Sequence, residues 1–562
     1  MKFLLVVLHA LACGLFFCLL LALLVLNLNI NVPFRLGLLL GIALFLSLSY
    51  GAAVTLAGVL VFYFVQFFSG RRSRLLFSPT FLTAGFSVLL LVFLALFWEN
   101  YKYFLSFFDP ATRLLLRGQI LVFFGLSLAG LSLTYGFHYY KKKAAFFIAY
   151  AVLLAGALAY GIGQRAAYPR PEPRDRATTL EVKRPQKRVV LIGLDGLSLD
   201  FIIPSVPQGT LPNFGWLMDK GSWGRLESFS PTEPTVLRTS TATGKFPYQH
   251  RRISPSRYRL LFCPEEIEVV PRFMLFKQLT RTGLLTVVPA EPPAVVRDIW
   301  SIFDDNRISS FRGESRLQAA EAAPAAPSQA EAAPAPGKAI DVFFKGFETD
   351  RSPLFGIVRR AFALDAAAEE DAFAEKNRLQ PRVYSLRLNG LNTVKTYFFK
   401  FSFPERYGSI AHEDITRFSS VIPRYYHYYD QLIGKYLAGL KDDDLLVVYS
   451  SHGMEPLPFW KRFVEWILGD PEVSADHENA PDGVIFLYGR GVRAGNTADR
   501  FRLVDLAPTL LYFMGLPVGR DMDGIVQSGI FSREFTSENP VFYISSYEDV
   551  ALTSEGGAGR RP

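Results

Sequence analysis

Arg188-Val-Val-Leu-Ile-Gly-Leu-Asp-Gly196 is the stretch on which the reading of this chain turns. A short apolar run rich in β-branched residues reads as a strand buried on both faces of a sheet. Asp-Gly ends it, so the Asp195 carboxylate stands at the strand's carboxyl end, where open parallel sheets bind their ligands. Taken alone, such an aspartate is more often a turn or helix-cap residue. Asp444 to Tyr449 and Val484 to Tyr488 are similar runs. Short buried strands alternating with longer helical stretches predict a largely parallel central sheet with helices on both faces.

Upstream of this strand the composition changes. Ala166 to Lys187 is rich in proline and charge and reads as a linker, and residues 1–165 are strongly apolar. A bilayer-spanning helix needs about 20 apolar residues. Phe3 to Leu28 meets this, broken only by His9, Asn27 and small residues; it is too long for the apolar core of a signal peptide. Leu36 to Phe68 carries no charge and reads as one long tilted helix or two short ones turning near Ser49-Tyr50-Gly51. Phe81 to Trp98, Ile120 to Phe137 and Ala144 to Ile162 complete five or six spans. No charged residue lies in mid-span, which argues against a transport path.

Two basic clusters, Arg71, Arg72 and Arg74, then Lys141, Lys142 and Lys143, are separated by two spans and share a side. By the positive-inside rule that side is cytoplasmic, which puts the C-terminal part outside, in a plasma (inner) membrane protein with an extracytoplasmic or periplasmic domain. Arg165, Arg170, Arg174 and Arg176, after the last span, speak for the other orientation.

The chain has 562 residues, 50% of them hydrophobic, too long for one ordinary domain. The net charge of +9 lies largely in clusters beside the apolar segments, where membrane lipid explains it. No basic, aromatic-interleaved surface points to nucleic acid. Three cysteines, Cys13 and Cys18 in the first apolar run and Cys263 alone, form no disulfide framework. Gln318 to Lys338 is an Ala/Pro/Glu repeat that cannot bury a core and reads as a disordered insertion. The expected organisation is a membrane region 1–165, a linker 166–187, an α/β domain 188–535 with its insertion 318–338, and a tail 536–562.

Several residues carry potential chemistry. Ser230-Pro-Thr-Glu-Pro-Thr-Val-Leu-Arg-Thr-Ser-Thr-Ala-Thr-Gly-Lys245 holds threonines at a predicted helix start, where backbone N–H groups favour a phosphate and a hydroxyl can act as nucleophile. Capping explains such threonines equally well. Ser450-Ser-His-Gly-Met454 ends a strand, and His477 precedes another. A lone histidine is usually structural, but two histidines and Asp195, each beside a predicted strand, can converge on one site.

In order, Leu191-Ile-Gly-Leu-Asp-Gly196, Thr210-Leu-Pro-Asn-Phe214 with Gly221, Ala242-Thr-Gly-Lys245 with Pro247 and His250, Asp430-Gln-Leu-Ile-Gly-Lys-Tyr436, Ser451-His-Gly-Met454, His477 with Pro481-Asp-Gly483, Leu503-Val-Asp-Leu-Ala-Pro-Thr-Leu-Leu511 and Asp521-Met-Asp-Gly524 form a series. Over about residues 188–535 it resembles the type I phosphodiesterase/nucleotide pyrophosphatase branch of the alkaline phosphatase superfamily. The resemblance implies an α/β sandwich of the alkaline-phosphatase type, a mostly parallel sheet with helices on both faces, which here follows the α-helical transmembrane bundle read from the apolar runs. Active members hold two divalent metals, usually zinc. One metal takes the first-strand aspartate, an aspartate–histidine pair and the nucleophile. The other takes an aspartate and a histidine from a central Pro-Asp-x-x-Gly-His segment and a late histidine.

Mapped onto this chain, Asp195, His452 and His477 match metal ligands, but Ser451 replaces the aspartate of the pair. The central segment is expected after a strand near Val394 to Phe401, where Pro404-Glu-Arg-Tyr-Gly-Ser409 puts Glu405 for the aspartate and Ser409 for the histidine, with His412 three residues on. The family nucleophile position falls on Pro234; Thr235 is one residue off, and Thr232 is a poorer substitute. Each half-site keeps two good ligands at most, where zinc sites use three or four. The expectation is a degenerate, inactive phosphodiesterase-like domain on a membrane anchor, without cofactor, acting as a binding or structural subunit with protein partners in a membrane complex. The alternative is an active hydrolase of phosphodiesters or phosphomonoesters, or a lipid-headgroup phosphotransferase, using zinc or another divalent metal.

Overall fold

The computed structural model describes residues 2–69, 79–139, 143–169, 178–182, 187–274, 276–280, 283–289, 296–315, 343–347, 350–408, 410–478, 480, 482–548 and 550–554. The chain divides into two compact units, Met1–Glu172 with Ile253–Glu291, and Pro173–Arg252 with Pro292–Pro562. The expected domain over 188–535 with its insertion 318–338 is thus amended, because residues 253–291 leave it and join the apolar helices. The expected insertion 318–338 lies outside the described residues.

In the first unit the apolar segments are helical, the conformation that satisfies every backbone group internally. They are α1 (Lys2–Leu28), α2 (Leu36–Leu46), α3 (Ala52–Ser69), α4 (Pro79–Tyr103), α5 (Pro110–Tyr139) and α6 (Lys143–Ala166). A π turn, Ser47–Gly51, joins α2 to α3, so the long uncharged stretch is one bulged helical stretch. Ser47 and Ser49 there donate to the carbonyls of Ala43 and Phe45. Among the described residues five helical stretches are long and apolar enough to cross a membrane. The clusters Arg71–Arg74 and Lys141–Lys142 lie outside the described residues. Arg165 is buried and donates to the carbonyls of Leu26 (2.7 Å), Asn29 (3.0 Å) and Val32 (2.6 Å), satisfying acceptors at the C-terminal end of α1. Its position therefore answers to packing as well as to charge.

Residues 253–291 enter this unit as an antiparallel pair, Ser256–Leu260 with Leu285–Pro289. Asn29 fixes them: its Nδ2 donates to the Val269 carbonyl (2.8 Å), and its Oδ1 accepts from the N–H groups of Glu268 (2.7 Å) and Val269 (2.8 Å).

The second unit is built on a mixed sheet. Its strands are β1 (Arg188–Leu194), β2 (Ser222–Glu227), β3 (Ser310–Glu314), β4 (Val383–Leu388), β5 (Asp444–His452), β6 (Asp482–Gly489), β7 (Asn496–Thr497) and β8 (Phe501–Arg502). They lie in the order β7-β2-β6-β5-β1-β4-β3, with β8 also on β2. Only β6 runs antiparallel to its neighbours. The helices that matter for the site are α7 (Pro234–Thr243), α8 (Pro353–Leu379), α9 (Gly390–Ser402), α10 (Val421–Ala438), α11 (Phe459–Leu468) and α12 (Leu506–Phe513). Alternate residues of β1 serve opposite faces. Val190, Ile192 and Leu194 pack with Phe362 of α8, Val394 of α9 and Tyr429 of α10, whereas Val189 and Leu191 pack with Leu237 of α7 and Leu510 of α12. The expected fold class, an apolar helical bundle plus a mostly parallel sheet between two helical layers, is the one observed.

Two expectations fail locally. The strand placed near Val394 to Phe401 is α9, because Leu391, Val394, Phe398 and Phe401 recur at helical spacing and are all buried; the strand is β4, just upstream. The linker and the tail are not featureless either, since Thr178–Val182 pairs in parallel with Val550–Ser554.

Candidate functional site

The site forms at the carboxyl ends of β1, β4 and β5. Gly193, which ends the apolar run of β1 before Leu194, has no side chain for a reason: a Cβ there would lie 3.2 Å from the Tyr449 hydroxyl. Asp195 follows, 1% exposed, its N–H bonded to the Leu388 carbonyl. Its carboxylate does not stand open. Arg387 of β4, itself buried, places Nε 3.0 Å and Nη2 2.7 Å from Asp195 Oδ2. Burial alone would raise the carboxyl's pKa, but the guanidinium, helped by His452, holds it below the usual range. The same pairing raises that of Arg387 against its own burial. Arg238 of α7 adds positive potential here and is itself paired with Glu314 (2.6 Å).

His452 is the last residue of β5 and is wholly buried. Both ring nitrogens are engaged: Nδ1 lies 2.9 Å from Ser451 Oγ, and Nε2 lies 3.3 Å from Asn392 Oδ1. Burial, then the neighbouring His477, pushes its pKa down to about 3, so the ring is neutral. The two imidazoles have centroids 5.3 Å apart. His477 is likewise shifted down by burial. Ser450 accepts from the Gly196 N–H (3.1 Å) and donates to the His452 carbonyl (2.8 Å). Lys395 of α9, fully buried, donates to the Gly196 carbonyl (2.8 Å) and to Tyr426 (2.9 Å), and burial pulls its pKa down to about 7.

The structure therefore brings together Asp195, His452 and His477, as the sequence suggested. Thr235 sits in the first turn of α7 after Pro234 and is half-buried, while Thr232 donates to the His477 carbonyl. Glu405 does not join them. It is exposed on a 3-10 turn, and the charges acting most strongly on Asp195, His452 and His477 come from elsewhere. His412 is exposed too, and Ser409 lies outside the described residues. The correction follows from the misplaced strand: the residue that enters the site after β4 is Asn392, a carboxamide. Arg387, Asn392 and Lys395 escaped the sequence reading.

The two-metal centre that the resemblance implies does not fit this donor set. A guanidinium holds Asp195 Oδ2, both nitrogens of His452 are engaged, and Asn392 offers a neutral oxygen. Among the described residues no three His, Cys, Asp or Glu side chains form a group able to hold a metal ion.

By fold, the second unit is an α/β domain with its polar cluster at the strand ends, carried on a chain with apolar helices. No family model matches the sequence, and no curated protein matches it. Solved structures similar to it include a phosphonate monoester hydrolase from Silicibacter pomeroyi (TM-score 0.37, 15% identity, 61% of this chain and 76% of that one). A putative sulfatase from Bacteroides thetaiotaomicron (0.38, 12%, 61% and 74%) and murine ectonucleotide pyrophosphatase/phosphodiesterase 5 (0.35, 14%, 62% and 100%) are similar to the same degree. Likenesses this slight carry no argument about activity, and the architecture above rests on strand order and burial.

Proposed function

We propose that this chain is a membrane-anchored, phosphodiesterase-like member of the alkaline phosphatase superfamily in which an internal ion pair has replaced the metal site. Its α/β unit then acts by binding a partner protein in a membrane complex rather than by hydrolysis. One observation carries the reading: Arg387 supplies Asp195 with the positive charge that a divalent cation would supply in an active relative. A carboxylate already neutralised by a buried guanidinium has less to gain from a divalent cation, which would have to compete with that pairing. The five apolar helices are read as spans, with the α/β unit extracytoplasmic by the basic loops.

The test is turnover by the full chain in detergent with zinc, manganese or calcium and a p-nitrophenyl phosphodiester. No hydrolysis and no tightly held metal by mass spectrometry are expected. Hydrolysis abolished by Thr235→Ala would overturn the reading in favour of an active hydrolase.

A further inference from the structure

The segment 256–289 lies in sequence within the α/β part, yet it packs along α2, whose outward stripe is Leu36, Leu40 and Leu44, continued by Leu48 in the π turn. The contacts descend that helix in order. Glu265 pairs with Arg35 just before it, at 2.9 Å. The Phe262 carbonyl and Cys263 Sγ crowd Gly41, where a Cβ would lie 2.9 and 3.2 Å from them. At 1.5 Å per residue, Gly41 is roughly 8 Å along the helix from Leu36. Farther on, the Phe276 ring lies 6.2 Å from that of Phe45, and the Tyr50 hydroxyl donates to the Met274 carbonyl. On α4, Asn100 folds back to the Leu96 carbonyl (2.8 Å) and accepts from the Arg272 N–H (2.8 Å), beside the half-exposed Trp98.

The segment thus reaches alongside stretches long and apolar enough to span a bilayer, and it turns apolar side chains outward there. Leu261, Phe262 and Phe273 are 43%, 53% and 48% exposed. Phe262 and Phe273 adopt left-handed backbone conformations (φ 69° and 67°), which bulky residues rarely do. Four charged residues of the same segment pair with one another, Arg257 with Glu268 (3.2 Å) and Arg259 with Glu266 (2.6 Å), while Arg272 lies over the rings of Tyr103 (4.2 Å) and Phe273 (5.1 Å). Apolar tips beside a lipid-facing helix, with paired charges behind them, are the pattern of a segment resting in the headgroup–acyl boundary.

We propose that residues 256–289 form an interfacial insertion, with Leu261, Phe262 and Phe273 in contact with lipid acyl chains beside α2. The inference rests on the reading of the five helices as spans and extends the surface they present to lipid.

The test uses the full chain in phosphatidylcholine vesicles, with Cys13, Cys18 and Cys263 changed to alanine and a nitroxide placed in turn at Phe262→Cys, Phe273→Cys, Leu44→Cys and Leu379→Cys. Power saturation compares collision with oxygen, which partitions into lipid, and with a water-soluble nickel complex. The expected result is a shift toward oxygen at 44, 262 and 273 and toward nickel at 379. Nickel-favoured labels at 262 and 273, with 44 still oxygen-favoured, overturn the insertion and leave the spans standing. A nickel-favoured label at 44 overturns the spans as well. Labels at 262 and 273 shielded from both reagents mean a protein contact, a second copy or a partner, and overturn the lipid assignment. Should the cysteine-free background misfold, a benzophenone amino acid at 262 in the native-cysteine chain gives an independent reading: a lipid adduct by mass supports the insertion, and its absence alongside an adduct from position 44 overturns it.

Discussion

Arg387 on β4 and Asp195 just past the end of the adjacent β1, both buried, meet at a single carboxylate oxygen, at 3.0 and 2.7 Å from Nε and Nη2. The pair sits where a sheet of this kind ordinarily presents an open acid to ligand. Removing one partner of a buried pair leaves the other charge uncompensated. Arg387→Ala is therefore expected to cost on the order of 3–5 kcal/mol in denaturant unfolding. Asp195→Asn with Arg387→Met, which removes both charges, is expected to cost much less. Equal losses in the two variants would show that the pairing is not what matters.

The buried histidines make stability fall on mild acidification. His250, 2% exposed and bonded to Ser240 (2.8 Å), and His452 are both driven by burial from 6.5 to about 3. A folded-state pKa below the unfolded one gives stability that is full above 6.5 and lost as pH falls toward 3. Each histidine contributes a slope of about 1.4 kcal/mol per pH unit in that window. Unfolding measured from pH 6 to 4 should show a slope approaching twice that from these two groups, and His250→Gln with His452→Gln should flatten it.

Asp365 works in the opposite sense. Its Oδ2 accepts from the Gly390 N–H (2.9 Å) and from Tyr425 (3.0 Å) and Tyr429 (2.8 Å), and burial raises its pKa from 3.8 to about 6. Stability from the protonated acid is complete below 3.8 and is lost as pH rises through 6. Asp365→Asn, permanently neutral, is expected to gain up to about 3 kcal/mol relative to the native chain at pH 8 and little at pH 4. A constant difference across that range would refute the assignment.

The site also predicts how a metal centre could be restored. Arg387→Ala frees Asp195, and Asn392→Asp supplies a second carboxylate facing His452, with His477 beside it. The double variant is expected to take up zinc in isothermal titration, reaching the three or four protein ligands such sites require. The native chain and each single variant should take up less. Zinc uptake by the native chain equal to that of the double variant would mean that the Arg387 pairing yields to metal.

Much of the architecture is legible in the sequence because buried strands and long apolar helices announce themselves by apolar runs. The motif series is legible too, though for scaffolding reasons more than chemical ones. Asp430 caps the helix that begins at Pro212, accepting from the N–H groups of Asn213 and Phe214. Lys245 pairs with Asp521 at 2.6 Å, joining two other motifs. What is not legible depends on one misplaced element. Leu391 to Phe401 is apolar enough for a strand, and only its three- and four-residue spacing marks a helix. With the strand set too late, the reading lands on Glu405 where Asn392 stands. Arg387 does leave a signal: one charged residue inside Val383-Tyr-Ser-Leu-Arg-Leu388, which a central strand tolerates only with a partner.

Because residues 253–291 belong with the apolar helices, the polypeptide passes between the two units three times rather than once. A protease that nicks the chain near residue 172 would leave the helices held to the rest only by their non-covalent packing with residues 253–291. An excised fragment starting at Arg188 would carry an apolar hairpin deprived of its bed. During synthesis the helices emerge first, then β1 and β2, then residues 253–291, which belong with the helices, and only then the strands from Ser310 onward. Assembly of this protein is in that sense a matter of stitching: the sequence of the sheet is interrupted by a stretch that belongs with the helices.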